Sequence, residues 1–237
     1  NKKIRELSMQ KIPVIVVVEL LRPANKAPLS HYIFGVKYWL ANMVLLAILM
    51  PVLTTLVVRV IRLVGVGFID LSRLNMPGLG GALIALLVST LVADFFFYWF
   101  HRSLHANKYL WQTHLLHHSD EHMIALTAQR GHFTETLLSP LFIAIPTAIL
   151  FDLPPVTIGI LSLIPPAYLF FAHANVRPSF GPFWWLIISP DYHRVHHSIE
   201  ERHRDKNFTN WFPVWDILFG TAYLPERGEY PATGVEG

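Results

Sequence analysis

Residues 81–118 read "GALIALLVSTLVADFFFYWFHRSLHANKYLWQTHLLHH". The first twenty are almost all apolar, which is long enough for one helix to cross about 30 Å of hydrocarbon. The eighteen that follow contain five histidines: His101, His105, His114, His117 and His118. The stretch therefore predicts a membrane-spanning helix that delivers a cluster of imidazoles to the membrane–water boundary.

The composition places the whole chain in a membrane. Of its 237 residues, 53% are hydrophobic and 15% are charged, and the mean hydropathy of +0.40 is too high for an ordinary soluble domain. There is no linker or repeat, so residues 1–237 are predicted to form one integral membrane domain. The net charge of +3 comes without a nucleic-acid motif. No nucleic-acid partner is expected, because basic residues beside apolar spans match anionic lipid headgroups.

Four apolar stretches predict an all-α, polytopic membrane helical bundle with about four membrane-embedded helices. They cover residues 38–58, 81–100, 137–151 and 156–172. The last two are short and contain prolines, so they could form a full or a shallower hairpin.

With four crossings, sixteen of the nineteen Lys and Arg residues lie on the histidine side. The positive-inside rule then places both termini and the histidine-bearing helical cap in the cytoplasm. Interfacial helices are predicted at 11–21, 182–189 and 211–220. Trp211 and Trp215 are expected either at the headgroup level or packed in a core.

The histidines recur at helical spacing. His101 and His105 are four residues apart, while two later sets, His114/His117/His118 and His193/His196/His197, stand at i, i+3, i+4. Nine residues of helix turn through about 180°, so one continuous helix cannot bring the first two groups together. A break is predicted near Asn107. Ser189 and Pro190 predict a helix start before the third group, and His173 should reach the same boundary.

These clusters predict a metal site. A single histidine is usually hydrogen-bonded without a metal, but eight clustered imidazoles need partners when neutral and repel one another when protonated. They are too many for one tetrahedral zinc, so we expect two metal ions. The chain has no cysteine, which excludes thiolate ligands, and imidazole suits Zn, Fe, Cu and Ni. The sequence also lacks HExxH and the Glu-x-x-His pattern of soluble di-iron bundles.

The motifs HxxxH (101–105), HxxHH (114–118) and HxxHH (193–197) resemble the histidine boxes of the fatty acid hydroxylase/sterol desaturase superfamily. "FYWFHR", "ALTAQRGHFTE", "HAN", "PDYHRVHHS" and "WDILFGT" also resemble that family, over about residues 81–221. The resemblance implies a non-haem di-iron centre that uses O₂ to hydroxylate, or desaturate, a C–H bond of a membrane lipid such as a sterol or fatty acyl chain. The metal ligands it implies are His101, His105, His114, His117, His118, His173, His193, His196 and His197, with His132 less certain.

Four polar residues are expected to support the ligands through hydrogen bonds. Asp94 lies in an apolar span, where a charge usually faces the bundle interior. It shares a helical stripe with Tyr98, His101 and His105, so its carboxylate is expected to accept a ligand ring N–H. The alternative is a pairing with another helix, through Arg102 or a backbone donor. Asn175 and Asn207 are further candidates. His31, His122 and His203 are expected at the surface or the membrane interface.

Oxygen chemistry requires two electrons per turnover, and this chain has no flavin fingerprint or iron–sulfur cysteines. An external donor is therefore expected: a ferredoxin, cytochrome b5 or a reductase. The cofactor is expected to be two iron ions, which zinc could replace in purified protein because it binds nitrogen sites more tightly than ferrous iron. Two alternatives remain open: a zinc-dependent membrane lipid hydrolase, and a non-catalytic metal- or haem-binding membrane protein.

Overall fold

The structure, a computed structural model, describes residues 14–65, 67–71, 79–152, 164 and 167–235. Within these residues, three helical segments are long and apolar enough to cross a membrane: Leu29–Val64, Gly80–Ala106 and Phe133–Leu150. The predicted all-α membrane architecture is thereby confirmed. The fourth apolar stretch lies mostly outside the described residues, and its described residues, Ile164 and 167–172, are helical.

Nine α-helical segments and two short strands are described. In chain order they are α1 (Val14–Leu21), α2 (Leu29–Val64), β1 (Ile69–Asp70), α3 (Leu79–Ala106), α4 (Lys108–His118), α5 (Phe133–Ser139), α6 (Ile145–Leu150), β2 (Phe151–Asp152), α7 (167–172), α8 (Pro190–His196) and α9 (Val214–Leu218). A π-turn at Pro140–Ala144 joins α5 to α6. Pro140 and Pro146 lack the backbone N–H that would continue the regular i→i−4 hydrogen bonds of an α-helix there.

The membrane helices extend beyond their apolar centres. The 28 residues of α3 make a helix of about 42 Å, whereas the hydrocarbon core is about 30 Å thick. Its last turns therefore project from the membrane, and they carry His101 and His105. The apolar stretch 81–100 marks only the span, and the helix continues through His101 and His105 to Ala106, as the predicted break near Asn107 requires.

The two ends of the bundle differ. At one end, where α2 begins, α3 ends and α5 begins, the chain carries the histidine boxes; we call this the near end. At the far end, β1 and β2 pair in parallel, with Ile69 opposite Phe151 and Asp70 opposite Asp152. Most of the apolar surface of α2 between these ends is exposed, including Val44, Ile48 and Val52. This exposure is what a lipid-facing helix requires.

The main buried cluster lies at the near end. It joins α1, α2, α7 and the short 3₁₀ turn Ala125–Gln129 through residues that include Val16, Tyr32, Leu126 and Phe170. Gly35 of α2 is needed for this packing, because a Cβ there would lie 3.0 Å from Leu126 Cβ. The core therefore fixes the histidine-bearing segments rather than the middle of the membrane helices.

Two predicted interfacial helices need correction. Residues 182–189 are not a helix, since only a 3₁₀ turn at Gly181–Phe183 forms there. In 211–220 the helix is confined to α9. Trp211 stacks on Tyr168 at 4.5 Å and Trp215 Nε1 donates to Leu91 O at 3.1 Å, so both tryptophans make packing contacts.

Candidate metal centre

Helix boundaries position the histidines. The predicted break is confirmed: α3 ends at Ala106, and Asn107 caps α4 by accepting from Tyr109 N at 2.9 Å and Leu110 N at 3.3 Å. Asn107 thus acts by starting the second helix. Helix α8 begins at Pro190 as predicted, although Ser189 makes no side-chain cap to the helix backbone and bonds Asp191 instead.

The structure gathers nine histidines, the eight of the boxes and His173, into two groups, and within each group the ligand atoms lie within 4.8 Å of one another. Group A contains His101, His105, His114, His118 and His196. Group B contains His117, His173, His193 and His197. The two groups touch, because the rings of His118 and His197 are stacked at 4.4 Å.

Both HxxHH helices contribute to both groups, in opposite ways. On α4, His114 and His118 join group A while His117 joins group B; from α8, His193 and His197 join group B while His196 joins group A. The reason is rotational. Residues i and i+4 differ by about 40° around a helix, whereas i+3 lies about 60° to the other side of i.

Ring nitrogens converge inside each group. In group A, His114 Nε2 lies 3.0 Å from His101 Nε2 and 3.1 Å from His118 Nε2. In group B, His173 Nε2 lies 3.1 Å from the Nε2 atoms of both His117 and His193.

The opposite ring nitrogens fix the tautomers. The Nδ1 atoms of His101, His196 and His173 each lie 2.8 Å from a backbone carbonyl, of Phe208, Lys206 and Leu169 respectively. A carbonyl only accepts, so each Nδ1 must carry the proton and each Nε2 presents a lone pair.

His114 follows the same rule with a carboxylate partner. Its Nδ1 lies 3.0 Å from Glu135 Oε2, so its Nε2 also presents a lone pair. Two lone pairs then face each other across 3.0 Å, between His101 and His114. Only a proton or a metal ion would make that contact favourable.

Protonation of these rings is disfavoured. Burial lowers the pKa of His114 to about 3 and that of His173 to about 4. Burial, with repulsion from neighbouring imidazoles, holds the pKa values of His118, His196 and His197 well below the usual 6.5. The Nε2 atoms of His105, His196 and His197 are buried without a partner. The donor set therefore fits metal ions, of the kinds that imidazole nitrogen prefers.

A single loop supports two group A ligands. Its carbonyls at Lys206 and Phe208 flank Asn207, which adopts a left-handed φ of 58°. The Asn207 side chain donates to Tyr192 O and Tyr223 O at 2.8 and 2.9 Å and accepts from Tyr223 N at 2.7 Å. Asn207 thus supports the ligands through its neighbours' carbonyls rather than through its own side chain.

Asp216 is a buried support that the sequence interpretation missed. Its carboxylate accepts from Phe208 N at 2.8 Å, from Thr209 N and Oγ1, from Tyr192 OH and from Thr221 Oγ1. It thereby holds the residue whose carbonyl accepts from His101. An acidic residue inside the apolar "WDILFGT" was the available signal.

Asp94 follows the alternative expectation, pairing with backbone donors, and not the favoured one, a ligand ring. Its carboxylate accepts from the backbone N–H groups of Asn210, Trp211 and Phe212 at 2.9–3.1 Å, so these donors, not a ligand ring, hold it. Backbone donors from a neighbouring segment satisfy a buried carboxylate as well as a histidine would.

Tyr98 and Asn175 are also held away from the rings. Tyr98 OH lies 3.2 Å from Thr221 Oγ1 and accepts from Arg102 at 3.0 Å. Asn175 bonds Asn25 and Tyr230. In the described part of the chain, no hydrogen bond joins either side chain to a box histidine.

His132 lies in neither group. Its Nδ1 accepts from Thr134 N at 3.4 Å and lies 2.8 Å from Thr134 Oγ1, so the ring caps the start of α5. The two centres therefore have five and four histidines rather than the five each that a tenth ligand would give.

The three histidines predicted at the surface or the membrane interface differ in exposure. His122 is exposed as predicted, and half-buried His31 pairs with Asp120 at 2.7 Å. The expectation for His203 was wrong: it is 1% exposed and bonds Ser198 and Glu229.

A second missed residue lies in α1. Glu19 is fully buried and accepts from Asn175 N at 2.7 Å and from Ala125 N at 3.1 Å. It joins the turns that follow His173 and the second box. No metal-binding or capping motif surrounds it, and its isolation in "VIVVVELL" was the only signal.

Comparison with known proteins agrees with this site. The family model described as Fatty acid hydroxylase matches residues 86–221. Alkylglycerol monooxygenase of Xenopus tropicalis is 34% identical over 134 residues, or 56% of this chain and 29% of that protein. Ornithine lipid hydroxylase OlsE of Rhizobium tropici is 30% identical, over 64% of this chain and 45% of that protein. Very-long-chain aldehyde decarbonylase GL1-4 of Oryza sativa subsp. indica is 29% identical, over 60% and 24%.

The chain thus spans less than half the length of these relatives. No solved structure gives a significant match. The family match covers more than half of the chain and contains all nine histidines of groups A and B. As its motifs predicted, this chain belongs to the fatty acid hydroxylase family.

Proposed function

We propose that this chain forms the membrane core of an O₂-dependent di-iron hydroxylase that acts on a C–H bond of a membrane lipid. The observation that carries the proposal is the convergence of imidazole lone pairs, with His101 and His114 Nε2 facing each other at 3.0 Å. Two such groups in contact would hold two metal ions side by side, one per group.

Iron bound in groups A and B would supply O₂ activation and the removal of hydrogen from an unactivated C–H bond. The chain itself supplies positioning and burial of the proposed ligands. Carbonyls and Glu135 fix the tautomers of four of them, and eight of the nine histidines of groups A and B are almost fully buried. The fixed, buried donor set limits side reactions with water.

The near end suits a lipid substrate. His101 and Glu135 lie in the end turns of two membrane helices, α3 and α5, so a lipid chain in the bilayer could approach the metals with little movement out of the membrane. The relatives named alkylglycerol monooxygenase and ornithine lipid hydroxylase favour a lipid substrate and favour hydroxylation over desaturation. Sterols and fatty acyl chains belong to the same proposed class.

We place the near end on the cytoplasmic side. Arg22, Lys26 and Lys37 lie at or near the beginning of α2, and Arg59 and Arg62 lie near its other end. The larger count of basic residues across the whole sequence favours the near end as cytoplasmic. There a ferredoxin, cytochrome b5 or reductase would deliver the two electrons of each turnover.

The test uses membranes that contain the chain, a lipid extract, a reducing system and oxygen-18 gas. Wild type should give a lipid product that carries one oxygen-18 atom. His197→Ala should abolish it, because His197 belongs to group B, whereas the matched control His122→Ala should retain it, because His122 is exposed and lies outside both groups. Product formed under strict anoxia would exclude an oxygenase and favour a zinc hydrolase, whereas an unlabelled product that requires O₂ would exclude hydroxylation and indicate desaturation.

A further inference from the structure

The two groups differ in their access to solution. A cavity of about 390 Å³ is lined by three group A ligands, His105, His118 and His196. The four group B imidazoles do not line it, and His173 and His197 are each only 1% exposed. An ion in group A would therefore lie beside an open path, and an ion in group B would lie behind it.

The cavity faces water rather than lipid. Its walls include Trp111, Ile199 and Val235, and its rim carries Glu200, Arg204 and Asp205. None of these six residues belongs to a membrane helix. Three charged side chains at one mouth would be costly against hydrocarbon, so the path leads to the aqueous side of the near end.

Asp205 is placed to meet an incoming cation. Its side chain is 65% exposed, and its Oδ1 lies 3.8 Å from His105 Nδ1, too far for a hydrogen bond. The nearby charge of Arg204 is paired with Glu201 at 2.6 Å. Asp205 has a φ of 57°, a conformation that Asp tolerates better than most residues. A cation would thus contact the carboxylate first and the imidazole next.

The size of the cavity also suits a hydrated ion. Six water molecules occupy about 180 Å³ at about 30 Å³ each, less than half of the cavity. Deeper in group A, the Nε2 atoms of His105 and His196 are buried without a partner. They could replace the water ligands as the ion enters.

We propose that this cavity is the port through which a divalent metal ion enters and leaves group A, while group B exchanges its ion only through a larger opening of the protein. The inference rests on the proposed function, because it requires both groups to bind metal. It predicts that the two ions of one molecule are released at different rates.

The test measures zinc release from zinc-loaded protein in nanodiscs into an excess of a chromogenic chelator. Two phases of similar amplitude are expected. His173→Ala removes a group B ligand, and its remaining ion should leave in the fast phase. One phase for both ions in the wild type would overturn the proposal.

Variants of residues in the cavity wall distinguish two explanations of unequal release rates: access through a port, and a difference in metal affinity between the two groups. Val235 is 37% exposed and lines the cavity, so Val235→Trp should slow the fast phase about tenfold. Because a port affects both directions equally, loading should slow by the same factor and the affinity should stay unchanged. Leu224→Trp is the matched control, since Leu224 is 47% exposed and does not line the cavity.

Val235→Ala should widen the cavity and speed both the loading and the release of the group A ion. It also tests the proposal if Val235→Trp does not fold. Asp205→Asn should slow loading at low salt, whereas Glu226→Gln should not, because Glu226 is exposed and does not line the cavity. Unchanged rates in both Val235 variants would overturn the port. Wild-type protein that binds no metal would instead overturn the proposed function, and the port with it.

Discussion

The proposed metal centre predicts that Glu135 controls the metal affinity of group A through the tautomer of His114. Its Oε2 accepts from His114 Nδ1 at 3.0 Å. In Glu135→Met that N–H loses its acceptor and stays unpaired, at a cost of about 1–3 kcal/mol, or its proton moves to Nε2, the atom proposed to bind metal. Loss of such a partner weakens metal binding about 10–100-fold, which is about 1.4–2.7 kcal/mol. Glu135→Gln keeps an acceptor and should lose much less.

The assay is a cobalt titration in competition with a chelator, followed by the visible absorption of the bound ion. Two binding events are expected in the wild type. Glu135→Met should weaken one of them about 10–100-fold and leave the other unchanged, because Glu135 bonds no group B ring in the described residues. Glu226→Met is the matched control, since Glu226 is exposed and does not line the cavity beside group A.

Misfolding can be separated from a direct effect. Glu135 Oε1 is buried without a partner, so replacing the carboxylate with a thioether removes an unsatisfied oxygen. This gain offsets part of the cost of the unpaired His114 N–H, so metal-free Glu135→Met should keep a single cooperative melting transition, with at most a modest fall in melting temperature. Equal weakening of both events, or no change in either, would refute the role assigned to Glu135.

Three further predictions concern stability. Burial raises the pKa of Glu19 from 4.5 to about 7; the unfolded chain therefore loses this proton first as pH rises. Wild-type stability should fall between pH 4.5 and 7, by up to about 3 kcal/mol at about 1.4 kcal/mol per pH unit. Melting curves of Glu19→Gln should lack this part of the decline, and an equally steep fall would contradict the assignment. Asn207→Gly should melt higher than Asn207→Ala, because both lose the side-chain bonds but alanine also strains the left-handed backbone by about 1–2 kcal/mol; equal melting temperatures would argue against strain. Asp216→Ala leaves five donors unpaired, at about 1–3 kcal/mol each, so no monodisperse protein should be recovered, whereas Asp216→Asn should fold with a lower melting temperature.

The histidine boxes were predictable because their spacing is local. Helical periodicity places i and i+4 on one face, and the break at Asn107 followed from the rotation between His105 and His114. Predicting the division of the histidines into a group of five and a group of four required one further step. Within each HxxHH motif, residue i+3 points about 100° away from residue i+4 around the helix. Treating His114, His117 and His118 as one face hid the fact that His117 serves the other group.

The supports of the ligands were not predictable in the same way. His101, His196 and His173 donate to backbone carbonyls, and every residue has a carbonyl, so the sequence carries no mark of which one is used. Asp94 was correctly placed in the interior, but its partners lie more than a hundred residues away. Long-range pairing of this kind depends on the fold and not on spacing.

The histidines of α4 and α8 are divided between the two groups, and this division couples the binding of the two proposed ions to the fold. Each helix provides ligands to both groups, so neither metal could bind without holding α4 against α8. Group A also has two histidines on the membrane helix α3, His101 and His105. Metal binding in group A would therefore tie the cap to that membrane helix. The free energy of metal binding would appear as stability of the whole near end, and loss of one ion would weaken the contact that positions the other.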